Sequence, residues 1–147
     1  MDASACFIDT NVLVYAKLAQ SPFHTQATSS LKTLDEGGAE LWISRQVLRE
    51  YLAVMTRPSA LTGTIPISNL VEDVRYFSTR FKVAEESQAT TEKLAELLLA
   101  IPSAGKQIHD ANIVATMLVQ GVSQFLTHNT ADFARFAALI TVLPLKT

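Results

Sequence analysis

The sequence predicts an α/β domain in three layers, with a mostly parallel sheet of five strands between helices. Short apolar segments that suit strands alternate with longer segments in which apolar residues recur at helical spacing. The 147 residues contain no internal repeat, low-complexity segment or linker, so one domain over 1–147 is expected. With 48% hydrophobic and 18% charged residues, the composition is that of a folded globular protein.

Glycine and proline mark the ends of the predicted elements in the first half of the chain. Two apolar runs predict strands, at 5–9 and 40–44. Three segments with helical periodicity predict helices, at 10–18, 23–36 and 45–57. The breaks after these helices fall at Ser21-Pro22, Gly37-Gly38 and Pro58.

The second half of the chain continues the alternation after a loop at 59–66. Helices are predicted at 67–81, 87–101 and 109–120, with a short helical turn at 130–136. Strands are predicted at 81–85, 123–127 and 139–143. Connections between parallel strands are right-handed and leave helices on both faces of the sheet, which gives the three layers.

Charge and cysteine content narrow the functional classes. Asp and Glu outnumber Lys and Arg by 14 to 12, for a net charge of −2. A protein that binds nucleic acid mainly by neutralising phosphates is basic, so a nucleic-acid role here requires a local cationic patch or a bound metal ion. The single cysteine, Cys6, excludes an internal disulfide and a cysteine-ligated zinc site.

No sequence feature predicts a membrane association. No apolar run approaches the roughly 18–20 residues that span a bilayer. The N-terminal segment lacks the basic region, apolar region and cleavage site of a secretory signal. We therefore expect a cytoplasmic protein.

Acidic side chains are predicted to meet at one edge of the sheet. Asp9 ends the first strand, Glu50 lies in the helix after the second, and Asp110 lies in the first turn of the helix before the fourth. Ligands of doubly wound sheets bind at this carboxyl edge. Three more polar residues belong to the same edge: Thr127 ends the fourth strand, and Asn129 and Asp132 lie just beyond it.

Helical spacing directs two of these acids toward the sheet. Glu50 lies within about 60° of Val47 and Val54 around its helix, and Asp110 shares a ridge with Ile113. Three inward carboxylates repel one another unless they take up protons or share a cation. Mg²⁺ or Mn²⁺ is the simplest solution, because both prefer carboxylate and water ligands.

Each acid also has a purely structural interpretation. Asp9 suits a helix N-cap, and Asp110 suits the first turn of a helix because of the helix dipole. Glu50 suits an ion pair with Arg45 or Arg49. The sequence alone leaves these interpretations open for the separate residues.

Four motifs in order along the chain carry a resemblance to a known family: FIDTNVLVY, REYLAV, IHDANIVATM and FLTHNTADF. The set resembles the PIN-domain ribonucleases, especially the VapC-type toxins of toxin–antitoxin pairs, over nearly the whole chain. The resemblance implies a PIN-like fold and metal-dependent hydrolysis of RNA phosphodiester bonds. A non-catalytic PIN-like module that binds RNA or protein is the alternative.

The resemblance assigns roles to individual residues. Asp9, Glu50 and Asp110 match the acids that hold Mg²⁺ or Mn²⁺ and act in catalysis. The sequence departs from the family where Asn129 replaces the acid of a Thr-x-Asp motif, and Asp132 is the candidate replacement for it. The candidates for substrate binding are Thr10, Asn11 and Thr127, which match family positions, and Arg45 and Arg49, which with Lys106 are chosen because they lie near the same edge. The implied partners are RNA, a cognate antitoxin and a second copy of the chain.

Overall fold

The computed structural model describes residues 4–146. Its sheet has five strands in the order β3-β2-β1-β4-β5, and every adjacent pair is parallel. The strands are β1 (Ala5–Ile8), β2 (Glu40–Ser44), β3 (Lys82–Ala84), β4 (Gln124–Leu126) and β5 (Thr141–Leu143). The predicted α/β class and strand number are confirmed, and the sheet is wholly rather than mostly parallel. The predicted domain over 1–147 also includes residues 1–3 and 147, which lie outside the described residues.

Between residues 4 and 146, seven α-helices connect the strands. They are α1 (Thr10–Lys17), α2 (His24–Glu36), α3 (Arg45–Met55), α4 (Ile67–Arg80), α5 (Gln88–Ala100), α6 (Gln107–Gln120) and α7 (Thr130–Phe133). A short 3-10 turn (Ala134–Phe136) follows α7. α3 ends two residues before the predicted end, and α6 begins two residues before the predicted start.

The central strand β1 sets the register of the sheet. Phe7 of β1 lies opposite Trp42 on β2 and Phe125 on β4. The Phe7 and Phe125 rings are both fully buried, with centroids 6.1 Å apart. Because β1 has neighbours on both sides, its carboxyl end opens at the middle of the sheet edge.

Caps place the ends of the helices that border this edge. Asp9 is the N-cap of α1, and the Ser44 hydroxyl accepts a hydrogen bond from the Val47 amide at the start of α3. At the other edge of the sheet, where α6 leads into β4, Gly121 ends α6 with φ of 73°, a left-handed conformation that favours glycine. Polar groups therefore gather where α1 and α3 leave the sheet.

Within residues 4–146, no helix is both long enough and apolar enough to cross a membrane.

Candidate active site

A cleft of about 320 Å³ opens at the carboxyl edge of the sheet, beside the end of β1. Four carboxylates lie on its walls: Asp9, Glu50, Asp110 and Asp132. Thr10, Asn11 and Asn129 line it as well, with apolar walls from α1, α3, α6 and α7. The topology thus brings into one cleft acids that are up to 123 positions apart in sequence.

Asp9 is buried at the base of the cleft and is held by three hydrogen bonds. Its Oδ1 accepts from the Thr10 backbone amide at 2.7 Å. Its Oδ2 accepts from the Thr127 hydroxyl at 2.7 Å and from Asn11 Nδ2 at 3.2 Å. Asp9 therefore caps α1 and also lines the cleft, so the two interpretations of this residue are compatible.

Burial raises the pKa of Asp9 to about 6. The hydrogen bonds from Thr127 and Thr10 oppose this rise, because they stabilise the ionised carboxylate. The negative charges of Glu50 and Asp110 add to the rise. The repulsion between these acids that the sequence predicts is thus present in the folded chain.

The Glu50 carboxylate is bound by neutral donors. Thr10 Oγ1 donates to Glu50 Oε2 at 2.9 Å, and Gln46 Nε2 donates to Glu50 Oε1 at 2.8 Å. Among the ion pairs of residues 4–146, none includes Glu50, and Arg45 pairs with Glu85 instead. The proposed ion pair between Glu50 and Arg45 or Arg49 is therefore wrong.

Asp110 lies half-buried in the first turn of α6. Burial raises the pKa of Asp110, and the nearby charges of Asp132 and Glu50 raise it further. The positive charges of Arg135 and His109 oppose the rise. The Asp110 carboxylate therefore repels the other acids of the cleft, and a cation bound between them would relieve this repulsion.

Both residues predicted as candidates for the fourth acidic position lie at the cleft, just after β4. Asn129 and Asp132 line it together, on either side of the start of α7. The Asn129 backbone amide donates to Thr127 Oγ1 at 3.0 Å, whereas its side chain makes no capping hydrogen bond. Asp132 is close enough to Asp110 to raise its pKa. A carboxylate is thus present in the cleft three positions after Asn129.

The residues predicted to bind substrate differ in whether they reach the cleft. Thr127 is fully buried behind Asp9 and contacts Asp9 and Asn11 rather than the cleft itself. Arg45, Arg49 and Lys106 are exposed and do not line the cleft. The Arg45 guanidinium donates to the Glu85 carboxylate on the exposed surface. Of the five predicted substrate-binding residues, only Thr10 and Asn11 lie on the cleft wall.

The cleft fits a hard divalent cation by the chemistry of its donors, because carboxylate oxygens are the preferred ligands of Mg²⁺ and Mn²⁺. Within residues 4–146, no three His, Cys, Asp or Glu side chains stand close enough together to hold a metal ion as they are. Asp9, Glu50 and Asp110 therefore share the cleft without forming a closed set of ligands.

Two amide side chains near the acids were not predicted from the sequence. Gln46 and Asn112 connect α3 to α6 next to Glu50. The spacing of Gln46, one turn before Glu50 on the same helix, is a signal that was available in the sequence. Asn112 gave no such signal, because its partner lies on another helix.

Known proteins resemble this chain along most of its length. The PIN domain family model matches residues 6–139. The chain is 28% identical to ribonuclease VapC48 of Mycobacterium tuberculosis over 133 residues, which is 89% of this chain and 91% of that protein.

Solved structures share the fold at lower identity. The chain in a Rickettsia felis VapBC2 complex bound to a promoter DNA fragment matches with a TM-score of 0.68 and 18% identity, over 97% of this chain and 99% of that one. Mycobacterium tuberculosis VapC20, described as a sarcin-ricin loop cleaving toxin, matches with a TM-score of 0.67 and 18% identity, over 92% and 96% of the two chains. Since the family model covers most of the sequence, this chain belongs to the PIN domain family.

Proposed function

We propose that this chain is a metal-dependent endoribonuclease that hydrolyses RNA phosphodiester bonds and serves as the toxin of a toxin–antitoxin pair. The observation that carries the proposal is the cleft in which Asp9, Glu50, Asp110 and Asp132 meet. Membership of the PIN domain family supports it, as does similarity to a relative named as a ribonuclease. The likeness to a sarcin-ricin loop cleaving toxin favours RNA as the substrate class.

Asp9, Glu50 and Asp110 would hold Mg²⁺ or Mn²⁺. When bound, such an ion polarises a phosphoryl oxygen and lowers the pKa of a coordinated water toward neutrality. Asp9 is suited to bind a cation because hydrogen bonds from Thr10, Asn11 and Thr127 fix the orientation of its carboxylate. An ion bound by all three acids would require their carboxylates to lie closer together than they do in this structure.

The residues around the acids would orient the substrate. Asp132 and Asn129 both line the cleft, where the Asp132 carboxylate can accept a hydrogen bond from a water beside the phosphate and the Asn129 amide can accept or donate one. The exposed Arg45 and Arg49 of α3, with Lys106 at the start of α6, supply positive charge for the RNA backbone outside the cleft.

The partners of the proposed toxin are a cognate antitoxin and a second copy of the chain, and its compartment is the cytoplasm. Three of the solved structures that share its fold support an antitoxin: a VapBC2 complex, a Klebsiella pneumoniae toxin–antitoxin complex, and VapBC-1 of Haemophilus influenzae. A net charge of −2 is compatible with RNA cleavage if the metal ion supplies the positive charge at the reacting phosphate.

Cleavage of a structured RNA by the purified chain tests the proposal. We expect cleavage with Mg²⁺ or Mn²⁺, none with EDTA, and a loss of about 100-fold or more in the Asp9→Asn and Asp110→Asn variants, because each removes a ligand charge. Glu92→Gln is the matched control, since Glu92 is exposed on α5 and does not line the cleft. It should cleave at the normal rate.

Two results would contradict the assignment. Full cleavage by folded Asp9→Asn protein would show that the reaction takes place elsewhere. Metal-independent RNA binding without cleavage would favour a non-catalytic PIN-like module, an alternative that the Asn129 substitution at the fourth acidic position supports.

A further inference from the structure

Gln46 is a buried neutral amide at the contact between α3 and α6. Its side-chain Nε2 donates to Glu50 Oε1 at 2.8 Å and to the His109 carbonyl at 3.0 Å. Its Oε1 accepts from Asn112 Nδ2 at 2.8 Å. Only 5% of Gln46 is exposed, so its amide group exchanges little with solvent and is held by these three contacts.

The partners of Gln46 permit only one orientation of its amide. Glu50 and the His109 carbonyl are acceptors, so rotating the amide by 180° would set the Gln46 oxygen against two oxygens. Asn112 is fixed in the same way, because its Nδ2 also donates to the Glu86 carboxylate. Asn112 Nδ2 thus donates both to Glu86 and to Gln46, and Gln46 Nε2 in turn donates to Glu50.

These contacts link the helices that carry the acids of the cleft. Glu50 Oε1 is held by Gln46, and Glu50 Oε2 is held by the Thr10 hydroxyl, one residue after Asp9. Gln46 also binds the carbonyl of His109, one residue before Asp110. One side chain therefore sets the direction of the Glu50 carboxylate and its distance from the start of α6.

We propose that Gln46 is the positioning residue that orients Glu50 as a metal ligand and couples it to the helix bearing Asp110; this inference rests on the proposed function. Gln46 Nε2 satisfies one oxygen of the Glu50 carboxylate and fixes its direction, while its bond to the His109 carbonyl ties that carboxylate to the start of α6. Partners that orient a metal ligand from outside change metal affinity by about 10–100-fold when removed. Gln46 is such a partner of Glu50, because it holds the Glu50 carboxylate without lining the cleft itself.

Calorimetric titration of the metal-free protein with Mn²⁺ tests the inference without relying on cleavage. Gln46→Met keeps an unbranched side chain of similar length but removes both donors and the acceptor. We expect its Kd for Mn²⁺ to be about 10–100-fold higher. Gln120→Met is the matched control, because Gln120 is exposed at the far end of α6, and its Kd should be unchanged.

Cleavage kinetics separate positioning from general damage. At saturating Mn²⁺ the Gln46→Met variant should recover kcat to within about threefold, with an unchanged KM for RNA, because excess ion offsets weaker binding. If Gln46→Met does not fold, Asn112→Ala serves instead, since it removes the donor that fixes the Gln46 amide. A Kd about threefold higher or more is then expected.

An Mn²⁺ affinity of the folded Gln46→Met or Asn112→Ala variant equal to that of the unmodified chain would overturn the inference while leaving the proposed nuclease intact. Failure of the unmodified chain itself to bind Mn²⁺ would overturn the metal-dependent function and this inference with it. The two failures are distinguished by the titration of the unmodified protein.

Discussion

The Thr127 hydroxyl donates a 2.7 Å hydrogen bond to Asp9 Oδ2, and this contact joins residues 118 positions apart. It forms because β1 and β4 are paired in register, so the residues that follow Ile8 and Leu126 lie side by side at the sheet edge. Thr127 Oγ1 also accepts from Asn11 Nδ2 at 3.3 Å. A buried hydroxyl at the end of one strand therefore favours the ionised form of a carboxylate at the end of its neighbour.

Replacement of Thr127 by valine should destabilise the chain. Thr127→Val keeps the shape of the side chain but removes a donor to a buried carboxylate, which costs about 1–3 kcal/mol. The pKa of Asp9 should rise further, because the Thr127 hydrogen bond lowers it in the unmodified chain. Urea unfolding at pH 7 in EDTA measures the loss. Thr127→Ser retains the hydroxyl, so its free energy of unfolding should fall by less. Equal decreases in the two variants would contradict a role for the hydrogen bond.

Asp9 should make the metal-free chain less stable as the pH rises. Burial raises its pKa from 3.8 to about 6, so between these values the folded chain binds more protons than the unfolded chain. The contribution of Asp9 is therefore most favourable below about pH 4 and is lost as the pH rises through 6. The full shift corresponds to about 3 kcal/mol.

The Asp9→Asn variant isolates this effect, because it has no titrating group at position 9. In EDTA, its free energy of unfolding relative to the unmodified chain should increase by about 2–3 kcal/mol between pH 4 and pH 7. Exposed acids such as Glu40 and Glu85, whose pKa values are lowered by Lys82 and Arg45, titrate equally in both proteins and cancel. Parallel pH curves for the two proteins would contradict the raised pKa.

The alternation of strands and helices was predictable from the local sequence pattern. The exact ends of the helices were less predictable. Pro58 predicts the end of α3 near residue 57, but the helix ends at Met55, where the Thr56 amide and hydroxyl both bond to the Leu52 carbonyl. α6 begins at Gln107 instead of His109, and the Gln107 side chain accepts from the Ala104 amide ahead of the helix. Such endings depend on single hydrogen bonds that periodicity does not encode.

The positions of the acids followed from topology, whereas their side-chain partners did not. Asp9, Glu50 and Asp110 meet because residues that follow parallel strands share one edge. The pairing of Arg45 with Glu85 depends on the register between β2 and β3, in which Ser44 lies opposite Ala84. The contact of Gln46 with the His109 carbonyl depends on how α3 approaches α6. Neither relationship is visible in local sequence.

The buried thiol of Cys6 should be unreactive in the folded chain. Burial raises its pKa to about 11, so at pH 8 only about one molecule in a thousand carries the reactive thiolate. Cys6 is also fully buried in β1. Ellman's reagent should detect no thiol in the native protein over minutes and one equivalent in 6 M guanidinium chloride, since the chain has a single cysteine. Rapid reaction of the native protein would show that β1 opens readily.

The exposed arginines of α3 should differ in their effect on RNA binding. Arg49→Ala removes a guanidinium without an ion-pair partner among residues 4–146, whereas Arg45 is already paired with Glu85. Arg45 must exchange that carboxylate for a phosphate, which offsets part of its gain. In the Asp9→Asn chain, which prevents cleavage, Arg49→Ala should weaken binding about 3–10-fold and reduce the salt slope by about one. Arg45→Ala should have a smaller effect.

Arg80→Ala is the charge-matched control for these two variants. Arg80 ends α4, which leads directly into β3, so it lies at the amino edge of the sheet, opposite the cleft. Its guanidinium pairs with Asp35 at 2.8 Å. Filter-binding titrations at three salt concentrations give the affinity and the slope for each variant. If Arg80→Ala weakens binding as much as Arg49→Ala, RNA responds to the net charge of the chain, and the α3 arginines are not its contact.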